Sequence, residues 1–379
     1  MAEWIPVNVP DLSGNEKRYL AECIDTGWIS SDGPFVQRLE RGVAERVGRK
    51  HGISVANGSV ALDAAVHALD LAPGDEVILP TFTIISCAAA VVRAGAKPVV
   101  VDADPVTWTM DVAAVERAVT PRTRAIMTVH IYGLPTDMGA IDVVARRHGL
   151  KVIEDAAEAH GLTCGGRPCG GLGDVSTMSF YANKHVTCGE GGMILTDDDR
   201  LAERFRSLRN LCFQPSRRFV HEELGWNLRM GNLQAAVGVA QLERLDAFVA
   251  RKHRMGARYR ERLANVRGIE LAPASTPLGE NGYWVFGMVL RDEVPFDAAE
   301  VLRRLKALGV DGRPFFFPMH QQPVFRKMGL FGGVVCPVAE RLAARGFYVP
   351  SGLGLTDEQI DRVAEAVAEV ASGAGQGHA

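Results

Sequence analysis

The stretch SFYANKHVTCGEGGM, residues 179–193, holds a single lysine, Lys184, between a run of strand-forming residues and a glycine-rich turn. A lysine amine can attack a carbonyl carbon, and it can move a proton when its pKa is brought toward neutrality. A lysine beside such a turn is more often a solvated surface residue, and Lys184 alone does not separate the two interpretations. Other candidate residues have to decide between them.

Three other segments carry groups that could meet a ligand. In VANGSVALDAAVHAL, residues 55–69, a short apolar segment runs through Asn-Gly-Ser into a helix, whose free N–H groups and dipole could hold a phosphate. Asp155 ends an apolar strand, and ligands of open α/β sheets bind beyond the carboxyl ends of strands. Ser179 lies on the strand before the lysine, and Asn227 and Arg229 precede a long helical pattern. Each of these residues also has an ordinary explanation as a helix cap or a backbone partner.

Together these segments supply what pyridoxal phosphate requires. A lysine amine forms a Schiff base with its aldehyde, an acid keeps its pyridine nitrogen protonated, and a helix start holds its phosphate. No rival motif fits, because GGRPCGGLGD lacks the G-x-G-x-x-G spacing, GxxxxGK[ST] is absent and HEELG lacks the second histidine of H-E-x-x-H. We therefore expect a pyridoxal phosphate enzyme without a catalytic metal.

Between about residues 50 and 200, short β-branched runs alternate with helical patterns, which predicts an α/β domain with a mainly parallel sheet. The predicted strands are VILP (77–80), KPVVVDAD (97–104), RAIMTVHIYG (124–133), KVIEDAA (151–157), DVSTMSFY (174–181) and GGMILTDD (191–198). After Asn232 the pattern predicts one long helix and then a smaller α+β region. We expect a large domain over residues 1–249 and a small one over 250–379, with the GAGQGHA segment, 373–379, unfolded.

Composition restricts the class of protein. Hydrophobic residues make up 47% of the 379 and charged residues 23%, which is typical of globular enzymes. The net charge of −3, with scattered Lys and Arg, argues against a nucleic-acid surface. The seven cysteines contain no C-x-x-C pair, the N-terminus lacks a signal-peptide pattern, and the longest uncharged run is too short to span a membrane. We therefore expect a cytoplasmic enzyme that binds neither nucleic acid nor a membrane.

The same motifs resemble those of the DegT/DnrJ/EryC1/StrS sugar aminotransferases, which belong to the fold type I class of pyridoxal phosphate enzymes. NGSVAL, VIEDAAEAHG, SFYANKHVTCGEGGM and GWNLRMGNLQAA occur in the family's order and approximate spacing. The resemblance implies a large domain with a mainly parallel mixed sheet and a smaller α+β C-terminal domain. It also implies L-glutamate as amino donor, a nucleotide-linked keto sugar as acceptor, and a homodimer with shared active sites.

Carried over by motif, the resemblance implies the catalytic roles. Lys184 would carry the cofactor and move the proton, and Asp155 would pair with the pyridinium nitrogen. Glu158 would approach the cofactor's ring oxygen. A related branch of dehydratases has a histidine in place of the lysine, but the register of SFYANK and GEGG gives that position to Lys184 and not to His185.

The resemblance also implies how the cofactor is held. Ser59 and Val60 would bind its phosphate through the helix start, with Ser179 adding a hydroxyl. Asn227 would reach the phosphate in the neighbouring subunit. Where the family usually places an aromatic residue that stacks on the pyridine ring, this sequence has Ile84, so the stacking contact is left open.

Arg229 and His320 are implied contacts of the sugar nucleotide or of the glutamate carboxylate. Residues 5–36 and 313–325 (RPFFFPMHQQPVF) resemble the branch that aminates GDP-4-keto-6-deoxy-D-mannose at C4. The alternatives are a UDP- or dTDP-linked 4-keto-6-deoxy sugar, a 3-keto sugar or a keto-cyclitol. A non-catalytic protein that binds the same cofactor is a further alternative.

Overall fold

The computed structural model describes residues 3–214 and 216–372, so the segment predicted to be unfolded, 373–379, lies outside the described residues. The helices are α1 Glu16–Thr26, α2 Pro34–Val47, α3 Gly58–His67, α4 Ile85–Arg93, α5 Val112–Ala118, α6 Met138–His148, α7 Asp199–Arg209, α8 Asn232–Leu242, α9 Leu245–Leu263, α10 Ala298–Ala307, α11 Pro323–Lys327, α12 Pro337–Arg345 and α13 Asp357–Ala371. The strands are β1 His51–Val55, β2 Glu76–Pro80, β3 Lys97–Val101, β4 Thr123–Val129, β5 Lys151–Asp155, β6 Thr163–Cys164, β7 Arg167–Pro168, β8 Val175–Ser179, β9 Gly192–Thr196, β10 Ile269–Leu271, β11 Ser275–Thr276, β12 Gly279–Glu280, β13 Phe286–Leu290, β14 Arg313–Pro314 and β15 Gly346–Val349.

Seven strands form the central sheet, in the order β1-β9-β8-β5-β4-β2-β3. The pairs from β8 through β3 are parallel, while β9 runs antiparallel to both of its neighbours. This mainly parallel mixed sheet confirms the predicted fold class. All six predicted strands are present, but the third, RAIMTVHIYG, stops at Val129, and Ile131–Gly133 form a 3-10 turn with Tyr132 at a φ of 53°.

Helices cover both faces of the sheet, as a parallel sheet requires. Side chains alternate along each strand, so that Val77 and Leu79 belong to one apolar cluster, with residues of α3, α4 and α7, whereas Ile78 belongs to the cluster on the other face, with residues of α1, α2, α6 and α8. Burial on both faces explains why these strands have continuous runs of apolar residues in the sequence. All seven cysteines lie in these cores, and each is buried and outside any disulfide.

The long helix predicted after Asn232 is wrong, because the chain forms two helices that break at Glu243 and Arg244. Both residues at the break contact the N-terminal part of the chain. Glu243 accepts a hydrogen bond from the Tyr19 hydroxyl at 2.6 Å, and Arg244 donates two hydrogen bonds to Asp11 at 3.0 and 3.1 Å. These contacts hold α8 against α1 and α2, while α9 packs against the C-terminal helix α13.

A second, antiparallel sheet of four strands, β10-β13-β15-β14, forms the C-terminal part of the fold. Helices α9, α10 and α13 pack on it around a third apolar cluster. Ile5, near the N-terminus, pairs with Val310 and is buried in this cluster. The division into domains at residues 249 and 250 stays a prediction, since α9 runs across it.

Candidate active site

A cavity of about 620 Å³ opens where the parallel strands of the central sheet reach their carboxyl ends. The predicted residues that line it are Ser59, Val60, Ile84, Asp155, Glu158, Ser179 and Lys184. They come from the start of α3, the turn before α4, the ends of β5 and β8, and the loop that follows β8. Parallel strands place these points of the chain at one edge of the sheet, which is why residues far apart in sequence meet there.

Lys184 lies inside this cavity, so the interpretation as a solvated surface residue does not apply. Its side chain is 9% exposed, and its Nζ lies 3.7 Å from Glu158 Oε1. The same Nζ lies 3.6 Å from the centroid of the Trp284 ring. Burial lowers the pKa of Lys184, and the charges of Glu158 and Asp155 act against that effect. The amine is thereby brought closer to the range in which it can both accept and release a proton.

Asp155 and Glu158 are the two buried carboxyl groups of the cavity. Asp155 accepts hydrogen bonds from the Ala157 amide at 3.0 Å and from the Cys87 thiol at 3.4 Å. Burial raises the pKa of Asp155, opposed by that amide and by Lys184. Glu158 accepts a hydrogen bond from the Tyr132 amide at 2.8 Å. Burial raises the pKa of Glu158 to about 7, although Lys184 favours its ionised form.

The start of α3 is closely packed against Ser179. Asn57 caps this helix by accepting a hydrogen bond from the Val60 amide at 3.0 Å, which leaves the earlier amides of the first turn without that partner. A Cβ at Gly58 would lie 2.6 Å from the Ser179 Cβ, so glycine is required for the approach. The Ser59 hydroxyl lies 2.7 Å from that of Ser86. Free amides and hydroxyls at a helix start can hold a phosphate.

Three predicted residues do not reach the cavity of this chain. Asn227 forms an isolated bridge with Asn210, whose side chain also accepts a hydrogen bond from Arg229. His320 is buried, with Nδ1 2.7 Å from the hydroxyl of Thr81 and Nε2 2.9 Å from a carboxylate oxygen of Glu340. The roles inferred for Asn227, Arg229 and His320 stay predictions, and that of Asn227 concerns the neighbouring subunit.

Sequence reasoning missed the aromatic residues that line the cavity from the C-terminal half of the chain. These are Trp284, Phe316 and Tyr348. The aromatic cluster in GYWVFG, residues 282–287, was available as a signal, but it contributed only to the prediction of a smaller α+β region. At the position where the family stacks an aromatic ring, Ile84 lines the cavity and is 41% exposed. Phe82 is buried against other aromatic rings and is not among the lining residues.

A buried group of His130, Glu154 and Cys169 has ligand atoms within 4.8 Å of one another, a spacing that could hold a metal ion. Glu154 already accepts hydrogen bonds from two backbone amides and from the Ser176 hydroxyl. His130 Nδ1 accepts one from the Thr136 amide, which leaves Nε2 to donate to Glu154. Hydrogen bonding therefore satisfies the histidine and the carboxylate without a metal.

The residues of the cavity fit pyridoxal phosphate. An aldehyde would meet Lys184, a protonated ring nitrogen would meet Asp155, and a phosphate would meet the start of α3. Thr177, in β8, lines the same cavity, and its buried hydroxyl has no hydrogen-bond partner among the described residues. The volume also lies within the usual range for cofactor sites. This is the arrangement of a fold type I pyridoxal phosphate enzyme.

Comparison with known proteins identifies the family. The model of the DegT/DnrJ/EryC1/StrS aminotransferase family matches residues 10–368, and the chain belongs to this family of pyridoxal phosphate-dependent sugar aminotransferases. The GDP-perosamine synthase of Caulobacter vibrioides is 44% identical over 97% of this chain and 98% of its own length. That of Escherichia coli O157:H7 is 38% identical over 97% of this chain and 98% of its own length.

Solved structures agree with this placement. DesV from S. venezuelae superposes with a TM-score of 0.89 at 35% identity, covering 98% of this chain and 99% of that one. DesI, solved in the presence of its TDP-sugar product, superposes with a TM-score of 0.88 at 33% identity, covering 98% and 94%. Among the helices of the described residues, none combines the length and the apolar character needed to cross a membrane.

Proposed function

We propose that the protein transfers the amino group of L-glutamate to C4 of GDP-4-keto-6-deoxy-D-mannose, giving GDP-perosamine and 2-oxoglutarate. The observation that carries this proposal is the similarity to relatives named GDP-perosamine synthase, which are 37–44% identical over at least 96% of this chain. A match that covers both chains almost completely includes the residues of the cavity as well as the fold.

We assign the proton transfers to Lys184. Its amine would take the proton from Cα of glutamate in the first half-reaction and deliver a proton to C4 of the sugar in the second. Burial supports this role because it lowers the pKa of the amine, so that a neutral amine is accessible for the first step. When bound, pyridoxal phosphate supplies the electron sink that stabilises negative charge at the carbon that loses its proton.

Asp155 would hold the proton on the ring nitrogen of the cofactor. Two hydrogen bonds, from the Ala157 amide and the Cys87 thiol, fix the direction of its carboxyl group. Ser59, Val60 and Ser179 would hold the phosphate, and Glu158 would lie at the ring oxygen. We assign substrate contacts to Arg229 and His320 from the family pattern alone.

We also propose a cytoplasmic homodimer with shared active sites. Asn227 lies outside the cavity of its own chain, which supports a role in the neighbouring site. Mixing Lys184→Ala chains with Asn227→Ala chains tests this arrangement. If sites are shared, random mixing should restore about a quarter of wild-type activity, because half the dimers are mixed and each mixed dimer has one intact site. No restoration, with mixed dimers present, would refute a shared site.

A second candidate acceptor is a dTDP-linked 4-keto-6-deoxy sugar. The observation that favours it is the close superposition on DesI, whose structure was solved with a TDP-sugar product. The lower identity of DesI, 33% against 44%, places this candidate behind the GDP-linked sugar.

The test separates the two half-reactions. Protein loaded with cofactor is treated with L-glutamate, freed of it, and then offered GDP-4-keto-6-deoxymannose or its dTDP-linked counterpart, while the visible absorbance of lysine-bound cofactor is followed. We expect the absorbance to return with the GDP-linked sugar, with the aminated sugar identified by mass spectrometry. Return with the dTDP-linked sugar alone would transfer the proposal to the second candidate. No return with either, after a normal glutamate step, would exclude both sugars.

A further inference from the structure

We infer that Trp284 is a positioning residue for the catalytic amine, holding Lys184 against its indole face whenever the lysine is not attached to the cofactor. The inference rests on the proposed role of Lys184 and concerns how the chain controls that side chain. The Nζ of Lys184 lies 3.6 Å from the centroid of the ring. At this distance the negative face of an indole attracts an ammonium group, and the attraction is strongest where water is excluded. Trp284 is 4% exposed and the Lys184 side chain 9%, so both partners are largely shielded from solvent.

One hydrogen bond and two aromatic contacts fix the indole with respect to the lysine. Its Nε1 donates to the carbonyl oxygen of Asn183 at 3.0 Å, and Asn183 directly precedes Lys184 in the chain. The ring therefore takes its position from the backbone that carries the lysine itself. Tyr132 and Phe316 stack on it with interplanar angles of 28° and 24°, which restrict rotation of the indole.

The backbone of Trp284 is held by a second buried lysine. Lys252, in α9, is 2% exposed and donates hydrogen bonds to the carbonyl oxygens of Trp284, at 2.9 Å, and of Ser351. This contact ties the segment before β13 to α9 and to the end of β15. The C-terminal part of the chain thereby presents one rigid aromatic face to a lysine that follows a strand of the central sheet.

Besides the indole, which does not titrate, four titratable side chains influence the protonation of the Lys184 amine. Glu158 and Asp155 favour the protonated amine when they are ionised. The pKa of His160 is lowered to about 3 and that of His185 well below its usual value, chiefly by burial, so both imidazoles are neutral at working pH. Replacement of Trp284 leaves all four groups in place, so a change in the pKa of Lys184 in the variant reports loss of the indole face.

The test measures the pKa of Lys184 in the full-length protein without cofactor. Competitive acetylation from pH 6 to pH 11, followed by mass spectrometry of the peptide that contains Lys184, gives the midpoint independently of the absolute rate. Trp284→Leu removes the π face and leaves an apolar side chain, and we expect it to lower the pKa of Lys184 by about one unit. Trp284→Phe keeps an aromatic face and should lie between this variant and the wild type.

Trp108→Leu is the matched control, because Trp108 is also 4% exposed and packs on Phe315 without contacting Lys184. In this control, the pH midpoint for acetylation of Lys184 should equal that of the wild type. An unchanged or raised midpoint in both Trp284 variants would overturn the inference, and Trp284→Phe decides if Trp284→Leu fails to fold. This readout uses no sugar, so it separates failure of the inference from failure of the proposed substrate.

In the enzyme loaded with cofactor, a positioning role predicts a slower step with a normal affinity. For the glutamate half-reaction, Trp284→Leu should lower the maximal rate at least about tenfold with little change in the half-saturating concentration, and Trp284→Phe should restore part of the rate. If Trp284→Leu and Trp284→Phe lowered the maximal rate equally and left the pKa of Lys184 unchanged, Trp284 would have only a packing role.

Discussion

Glu158 is the residue whose replacement gives the sharpest prediction for stability. Its side chain is 5% exposed and its pKa is raised from the usual 4.5 to about 7, mainly by burial. Glu158→Gln keeps an oxygen that can accept the hydrogen bond from the Tyr132 amide, but it can never ionise. The variant should therefore remove one titration and change little else in the packing.

The direction in which pH changes the free energy of unfolding depends on whether the folded or the unfolded protein binds the proton of Glu158 more tightly. Because the native pKa of Glu158 lies above the unfolded value, the folded protein binds the proton more tightly, and stability falls as the pH rises from about 4.5 to about 7. At about 1.4 kcal/mol per pKa unit, this one group lowers the free energy of unfolding by about 2–3 kcal/mol between pH 5 and pH 8. Any fall in the pKa of Lys184 in the variant acts in the same direction, because a lowered lysine pKa adds stability as the pH rises.

Urea unfolding of the cofactor-free protein at pH 5, 6, 7 and 8 measures this effect. Between pH 5 and pH 8, we expect the free energy of unfolding of Glu158→Gln to rise by about 2–3 kcal/mol relative to that of the wild type. Glu190→Gln is the control, since Glu190 lines the same cavity but is exposed, and it should follow the wild type. Parallel pH dependence of wild type and Glu158→Gln would show that Glu158 does not hold an additional proton in the folded protein.

Three further predictions concern the assigned site. Lys184→Ala should lack the visible absorbance of lysine-bound cofactor, and persistence of that band would assign the linkage to another lysine. Asp155→Asn should bind the cofactor yet lose turnover by at least about 100-fold, because a neutral amide cannot stabilise the charged ring nitrogen; normal turnover would remove Asp155 from this role. Gly58→Ala should lower both stability, by about 1–3 kcal/mol, and cofactor affinity, since its Cβ would lie 2.6 Å from that of Ser179. Gly139→Ala, in α6, where a Cβ makes only an ordinary contact, should lower neither, and equal losses in the two variants would contradict the steric argument.

Local patterns predicted six of the seven strands of the central sheet, because burial on both faces makes a parallel strand a recognisable apolar run, whereas β1, at the edge of the sheet, was not predicted. They predicted Asp155 for a similar reason, since the end of a buried parallel strand is the place where ligands bind. The break at Glu243 could not be predicted, because the helical pattern continues through it and the break depends on contacts with Asp11 and Tyr19. Trp284 was missed because its partner lies 100 positions earlier in the chain, and only the packing of the C-terminal sheet brings the two together.

The seven buried cysteines are natural probes of local opening in different parts of the protein. A thiol reagent can modify a buried sulfur only while its surroundings are open, so each labelling rate reports a local opening equilibrium. Cys87, hydrogen-bonded to Asp155, reports on the surroundings of that carboxyl group, while Cys23 reports on α1 and Cys336 on the loop before α12. A time course of alkylation, resolved peptide by peptide, would therefore give the order in which parts of the molecule open, with no need to introduce further cysteines.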